Sequence, residues 1–424
     1  MRICLLTYRG NPFCGGQGVY VDALSRELVR QGHTVHVVSG PPYPPRVPGV
    51  TLHRLPALAL HLGDGRADDG NDGNQGGAGC NGTGAPGRLG QLAPIALYER
   101  AAFLAGIFPE MTAFSLRAFY KVRGLQRRER FDVIHDNQSL GWGLLPMGRL
   151  GVPVIATIHH PLTVDRRRGF EPPTSFRQQL SRLLFYPIPM QGHVARRLKR
   201  IVTVSHASAE AIAADFRVAP GRIRVIHNGV DTARFRPPSN GSRVAGRVIY
   251  VGNLEDRNKG VVYLLRAMAL VRRPAHLLVV GSGGTVPQWV RREIAGLGIE
   301  GRVRFEAQLP PGALVERYGT AEAAVSPSLF EGFGFPAAEA MACGLPLVAA
   351  RGGALPEVVG DAGLLVPTRD PAAIARALDT LLGDGELRAR LGRAARSRMV
   401  EKFRWERAAR ELVRVYEEVR DAHR

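Results

Sequence analysis

The stretch SLFEGFGFPAAEAMACGLPLVAARGG, residues 328–353, decides the fold. Gly332 and Gly334 frame a turn, and the Ala-rich run after it reads as a buried helix with Pro336 at its first position. LPLVAA (345–350) then reads as a strand, and AAVSPSL (323–329) as the strand before the turn. Strand, glycine turn, helix and strand in that order form one unit of a parallel α/β sheet. Two glutamates, Glu331 and Glu339, flank the turn. A turn of this kind lets backbone N–H groups approach an anion with no Cβ in the way, and the helix dipole adds partial positive charge there. It suits a phosphate. Glu339 is then placed to accept from ribose hydroxyls, and Glu331 to reach a sugar beyond the phosphates. Read alone, the pair fits equally well as charges that only complement the dipole, for about 0.3–1 kcal/mol.

Outward from this stretch the same alternation repeats. RVIYVGNL (247–254), HLLVVGSGG (276–284) and RVRFEAQL (302–309) read as strands, and GVVYLLRAMALV (260–271) as a helix. An earlier series holds RICLLTY, HTVHVVSG, FDVIHD, VPVIATIHH and RIVTVSH. Its first helix carries Tyr20, Leu24 and Leu28 at helical spacing. The polar, Pro-containing segment 228–246 lies between the two series and reads as a linker. We expect two domains, 1–232 and 233–403, with the amphipathic helix of 404–424 packing back on the first. The Gly/Asp/Asn-rich insert 63–90 cannot bury a core and lacks the ligand order of a calcium loop.

Length and composition narrow the class. A chain of 424 residues is long for one core, and 45% hydrophobic with 22% charged residues describes a globular enzyme-sized protein. No window approaches the apolar length of a membrane span, and the start is too short in apolar residues for a signal peptide. Cys4, Cys14, Cys80 and Cys343 stand far apart, which reads as reduced thiols in a cytoplasm. The net charge of +20 invites a nucleic-acid reading, but the basic residues are mostly arginine, are spread along the chain and lack interleaved aromatics. A surface attracting anionic lipid or phosphorylated ligands fits better.

The text around the turn, SPSLFEGFGFPAAEAMACGLPLVAARGGALPEVV, closely resembles the nucleotide-sugar signature of the family 4 glycosyltransferases, and the resemblance runs through nearly the whole chain. It implies the GT-B fold, two Rossmann-like domains facing across a cleft. It also implies a retaining hexosyl transfer from a nucleoside-diphosphate sugar, with no metal and no cofactor. By the resemblance Glu331 lies against the donor sugar, Glu339 holds the ribose, and the backbone at Phe333, Gly334 and Phe335 faces sugar and phosphates. VGNLEDRNKGVVYLLRAMA (251–269) resembles the segment in which an arginine and a lysine neutralise the diphosphate. Lys259 fits the lysine; Asn253 occupies the arginine's position, so Arg257 is the substitute on offer. The loop CGGQGVY places Gly15 and Gly16 where the family faces the donor phosphates and the acceptor. In VIATIHHPLTVDRRRG, His159 matches the histidine that touches the transferred sugar.

Other readings are weighed on residues. Neither CGGQGVY nor GSGGTV meets the dinucleotide fingerprint, which removes the main support for a dehydrogenase. His159 and His160 adjoin on a strand, so their side chains point to opposite faces, and with no third ligand and no Asp-x-Asp a metal is not expected. Arg166–Arg168 could meet a phosphate or lipid headgroup on the acceptor side or form a solvated turn. Ser205 and Asn228 read first as turn caps, and His135 and Asp136 as acceptor contacts at a strand end. Helices around 108–130 and 176–186 mix apolar and basic faces, as packing helices do and as helices lying on an anionic membrane do. A phosphorylase- or epimerase-like enzyme of the same architecture and a non-catalytic sugar-nucleotide-binding protein are the rivals. The sugar, the base and the acceptor (a lipid, a sugar or a metabolite) are not named by the sequence.

Overall fold

The computed structural model describes residues 1–57, 93–105, 107–164, 187–238, 243–281, 285–307 and 309–424. The 63–90 insert, Arg166–Arg168 and the 176–186 segment lie outside the described residues. The first unit is a seven-stranded parallel sheet ordered β3-β2-β1-β4-β5-β6-β7. Its strands are β1 (Arg2–Thr7), β2 (Thr34–Ser39), β3 (Val50–Arg54), β4 (Val133–Asn137), β5 (Val154–Ile158), β6 (Ile201–Thr203) and β7 (Ile223–Val225). The second sheet is also parallel and is ordered β10-β9-β8-β11-β12-β13. It comprises β8 (Arg247–Gly252), β9 (His276–Gly281), β10 (Val303–Glu306), β11 (Ala323–Ser326), β12 (Leu347–Ala350) and β13 (Leu364–Val366).

Both orders are the doubly wound Rossmann order, read 3-2-1-4-5-6 within each unit. The strands are short and mostly apolar, as burial on both faces requires: β5, β6 and β12 have every residue buried, and β4 is buried throughout although its last three residues, His135, Asp136 and Asn137, are polar. In such sheets ligands sit beyond the carboxyl ends of the strands where the order reverses. Here that point falls between β1 and β4 in one unit and between β8 and β11 in the other. The sequence reading passes over β3, β7 and β13, which are three to five residues long.

The helix Trp405–Asp421 lies against the first helix, Gly16–Arg30, and buries Trp405, Leu412, Val415, Tyr416 and Val419 in one cluster with Ile3, Leu5, Tyr20 and Leu24. The chain crosses between the units where Val230 N–H donates to Phe403 carbonyl oxygen at 2.8 Å and Val230 bridges Arg404. Phe335 joins the cores, packing on clusters of both units and stacking on Trp405 at 6.1 Å and 25°. The basic helix Glu110–Glu129 buries Met111, Phe114, Ala118 and Val122 against the first sheet. Among the described residues no helix is long and apolar enough to cross a membrane.

Candidate active site

The loops after β8 and β11, the two strands at the second switch point, carry Lys259 and Glu331. Lys259 closes a short turn, Arg257–Lys259, and Leu329 N–H donates to Asn258 carbonyl oxygen at 2.8 Å, which ties the two loops together. The Lys259 ammonium meets both carboxylate oxygens of Glu331 at 2.9 and 3.0 Å, and Ser328 Oγ donates to Glu331 Oε1 at 2.7 Å. Ala354 N–H donates to the Glu331 carbonyl oxygen at 2.9 Å, holding the backbone of the turn against the Gly352–Gly353 segment.

The helix Phe335–Ala342 starts directly after this pair, with Pro336 in its second position and not its first. Gly334 precedes it at φ +91°, a conformation an L side chain rarely adopts. The first turn of any helix leaves its N–H groups outside the ladder, so this helix offers backbone donors beside the Gly332–Gly334 turn. The Phe333 ring is buried against the rings of Phe335 and Phe403. Glu339 is partly buried one turn in, with Tyr318 Oη donating to its Oε2 at 3.4 Å. Burial pushes its carboxyl up to about 8, against the lowering effect of Tyr318 and Arg234.

The first unit meets this turn from across the cleft. A Cβ on Gly332 would stand 2.7 Å from the His159 carbonyl oxygen, and one on Gly16 would stand 3.2 Å from the Phe335 ring. Thus His159, Gly16, Glu331 and the 332–335 turn are brought together. His159 is 8% exposed, and its Nε2 lies 2.8 Å from Asn137 Oδ1. Asn137 Nδ2 donates to the Gln17 carbonyl oxygen at 3.1 Å, which fixes the amide and puts the imidazole proton on Nε2. Burial, with His160 and His135 nearby, lowers the His159 pKa to about 3. The ring is neutral.

The remaining sequence candidates divide. Asn253 is exposed, and its Oδ1 accepts from Glu255 N–H at 2.9 Å in a local turn. The Arg257 guanidinium lies 5.2 Å over the Trp289 ring. Ser205 caps the helix His206–Phe216, as expected. Asn228 does not cap: it is 2% exposed, and neither atom of its amide has a hydrogen-bond partner. His135 and Asp136 are not acceptor contacts either, because both are buried inside the first unit. His135 bonds Tyr416 Oη at 2.6 Å and Thr157 Oγ1 at 2.7 Å, and Asp136 accepts from Leu140 N–H at 2.9 Å.

Sequence reasoning missed the residues that orient the site. Gln138 braces the end of β5, accepting from His159 N–H at 2.6 Å and donating to the His160 carbonyl oxygen at 2.8 Å. Glu357, in the helix Leu355–Val359 of the second unit, accepts from His206 N–H and Ala207 N–H of the first, each at 2.8 Å. It therefore caps a helix across the cleft. Its only sequence signal is its place after GGALP in the family signature.

Residues 84–234 match the family described as Glycosyltransferase Family 4, and residues 245–384 the one described as Glycosyl transferases group 1. An MMP alpha-(1->4)-mannosyltransferase of Mycolicibacterium hassiacum is 40% identical, over 98% of both chains. A D-inositol 3-phosphate glycosyltransferase of Saccharomonospora viridis is 29% identical over all of this chain and 95% of its own. Among solved structures, the sucrose-phosphate synthase of Thermosynechococcus elongatus superposes with a TM-score of 0.74 at 25% identity, covering 99% of both chains. Anabaena Alr3699/HepE in complex with UDP and glucose shares the fold, with a TM-score of 0.69 at 18% identity over 99% of this chain and all of that one.

Proposed function

The chain belongs to glycosyltransferase family 4, and on that premise we propose that it moves a hexosyl group from a nucleoside-diphosphate sugar to an acceptor hydroxyl with retention at the anomeric carbon. The mannosyl group is the first donor sugar to test, since the 40% identical relative is a mannosyltransferase. The observation that carries the reading is the Lys259–Glu331 pair beside the 332–335 turn, at the switch point of the second sheet.

In this reading the diphosphate rests on the Lys259 ammonium and on the amides at Phe333, Gly334 and Phe335, backed by the helix N-terminus. Asn253 and Arg257 stand on the loop beside it, and Arg257 leaves Trp289 to add the charge that Asn253 lacks. Glu339 takes the ribose hydroxyls, Glu331 a hydroxyl of the donor sugar. His159 and Gly16 border the sugar from the first unit. The bond from the anomeric carbon to the phosphate oxygen breaks as the acceptor oxygen bonds to that carbon on the same face. The acceptor proton passes to the departing phosphate. No metal is required, since Lys259 and the amides supply the charge stabilisation, and we place the reaction in the cytoplasm.

Thermal-shift titration against UDP-, GDP- and ADP-sugars tests the donor, and proton NMR of the product tests its anomeric configuration. Transfer should persist in EDTA. A protein that no nucleoside diphosphate stabilises, or a product of inverted configuration, would sink the reading.

A further inference from the structure

We propose that His206, His227 and Glu357 form a site for one divalent transition-metal ion, with Zn²⁺ the best match, and that the ion staples the two units together. The proposal goes beyond the transferase reading and gives the ion no part in bond-making. One imidazole nitrogen from each histidine and one carboxylate oxygen of Glu357 all lie within 4.8 Å of one another, the one such group among the described residues. Two imidazoles and a carboxylate are a zinc ligand set, and three protein ligands leave the fourth position open. Here that position faces a cavity of about 390 Å³ that the three residues line.

The ligands come from three separate parts of the chain. His206 opens the helix His206–Phe216, His227 stands just past β7, and Glu357 belongs to the helix Leu355–Val359 of the second unit. His227 Nε2 lies 3.2 Å from Glu357 Oε2. Zinc arms of about 2.0–2.1 Å set at tetrahedral angles put neighbouring ligand atoms about 3.4 Å apart, so this pair stands at coordination spacing. His206 needs only a turn of its ring, which is exposed and 5.9 Å from the His227 ring, centre to centre. Outer contacts brace the other two ligands. Glu357 Oε2 accepts from His206 N–H and its Oε1 from Ala207 N–H, each at 2.8 Å, which orients the carboxylate. The Arg398 guanidinium donates to the carbonyl oxygens of Val358 and Glu357, also at 2.8 Å, and fixes the backbone there. The His227 ring meets the Phe403 ring edge-on at 5.6 Å and 89°. Bonded carboxylates and braced imidazoles of this kind hold the ligands of metal sites in place.

The charges on the cavity wall are compatible with a cation. Arg398 is committed to the two carbonyls, and Arg407 is paired with Glu411 at 2.9 Å. Lys402, which is exposed on the same wall, suits an anionic fourth ligand on the ion. The ion would also tie together the two sides of the cleft. Ser208, two residues after His206, donates its hydroxyl to the His159 carbonyl oxygen at 2.7 Å. Ala354, three residues before Glu357, donates its N–H to the Glu331 carbonyl oxygen at 2.9 Å. An ion held by His206 and Glu357 therefore fixes His159 relative to Glu331, and its binding favours the closed arrangement of the two units.

The test uses the whole protein, stripped with EDTA, and Zn²⁺ and Co²⁺ as probes. Competition with a chromophoric chelator should show one equivalent of Zn²⁺ bound. Co²⁺ should give the intense visible bands of a four- or five-coordinate site, where the hydrated ion is pale. His206→Ala, His227→Ala and Glu357→Gln should each weaken Zn²⁺ binding by at least about a hundredfold, the upper end of the loss for removing even an outer partner. His206 is exposed, so its variant should keep the parent's circular dichroism and report ligation alone. Small-angle scattering should show Zn²⁺ reducing the radius of gyration of the parent and not of His206→Ala. Undiminished Zn²⁺ affinity in His206→Ala and His227→Ala places the ion elsewhere and overturns the proposal. So does a Co²⁺ complex without visible bands, or thermal stabilisation by inorganic phosphate and not by Zn²⁺. Ligation with an unchanged radius overturns the staple.

Discussion

The Lys259–Glu331 pair gives opposite predictions for its two members, and the contrast can be worked from the structure. The ammonium sits 2.9 Å from a carboxylate whose side chain is 12% exposed, while its own is 28% exposed. At an effective dielectric of about 20 such a contact is worth about 6 kcal/mol before desolvation. A phosphate oxygen about 4 Å from the same ammonium would gain about 4 kcal/mol on the same terms. Lys259→Met removes that attraction and leaves the Glu331 carboxylate facing the diphosphate. Affinity for nucleoside diphosphate should then fall by about two to three decades, in line with about 3–4 kcal/mol for a lost anion donor. Glu331→Gln keeps the shape and the Ser328 contact but takes the carboxylate charge away from the ammonium, so diphosphate affinity should hold or rise while turnover falls. The double variant should recover about one decade of the loss in Lys259→Met, because the exposed carboxylate has gone. Isothermal titration calorimetry of GDP and UDP against the four proteins measures the cycle. Wild-type affinity in Lys259→Met, or equal losses in both single variants, would refute the reasoning.

Four further outcomes follow from named contacts. Glu339 has a carboxyl pushed up to about 8 by burial, so at pH 7 it is largely protonated in the free protein. If ribose binds the carboxylate form, nucleotide affinity should rise from pH 6.5 to 8.5 and level off above; Glu339→Gln should flatten that profile, measured by calorimetry. The same raised value means the fold favours the protonated acid, so native stability falls as pH climbs from the unfolded carboxyl value through 8. Thermal melts of Glu339→Gln should lose less stability than the parent between pH 6.5 and 8.5. Glu357→Ala deletes a cap that crosses the cleft to His206 and Ala207, at about 1 kcal/mol. It should enlarge the radius of gyration by small-angle scattering and raise the donor KM, with the fold intact by circular dichroism. Trp405→Ala removes a side chain 7% exposed that packs on Tyr20 and Phe335, and should cost about 3–5 kcal/mol in denaturant unfolding.

Apolar patterning carried the fold because parallel strands buried on both faces are largely apolar runs, and β5 and β12 are of that kind. It passed over β7 and β13, three residues each, which hold their place by pairing with β6 and β12 and not by a pattern of their own. At the site, Lys259 and Glu331 were legible because glycine turns and strands bracket them at fixed distance. Their mutual ion pair was not, since it joins loops 72 residues apart in sequence. Tyr20 read as one more apolar position of a helix; its hydroxyl in fact bonds Thr157 at 3.0 Å in a buried chain that continues through His135 to Tyr416. His135 and Asp136 misled for a related reason. A polar pair at a strand end looks like a binding site, yet both satisfy groups that only the folded sheet brings near.

The state of His159 bears on where the acceptor proton goes. The family resemblance places this residue beside the transferred sugar, which makes it the obvious base. Its Nε2 proton is committed to Asn137, whose amide is fixed in turn by Gln17, so only Nδ1 could accept. Burial holds the imidazole pKa down to about 3. A base that weak gains almost nothing by taking a proton from a sugar hydroxyl, because general-base efficiency follows basicity. What a neutral ring can do is border a developing oxocarbenium ion without adding repulsion, where an imidazolium would oppose it. In the retaining transfer proposed above, the departing phosphate would gain negative charge as its bond to carbon breaks and would lie on the face the acceptor approaches. It is then the stronger base in the cleft, and Lys259 and the turn amides must stabilise it without protonating it. An ammonium and backbone N–H groups meet that requirement; a second histidine at the position of Lys259 would not.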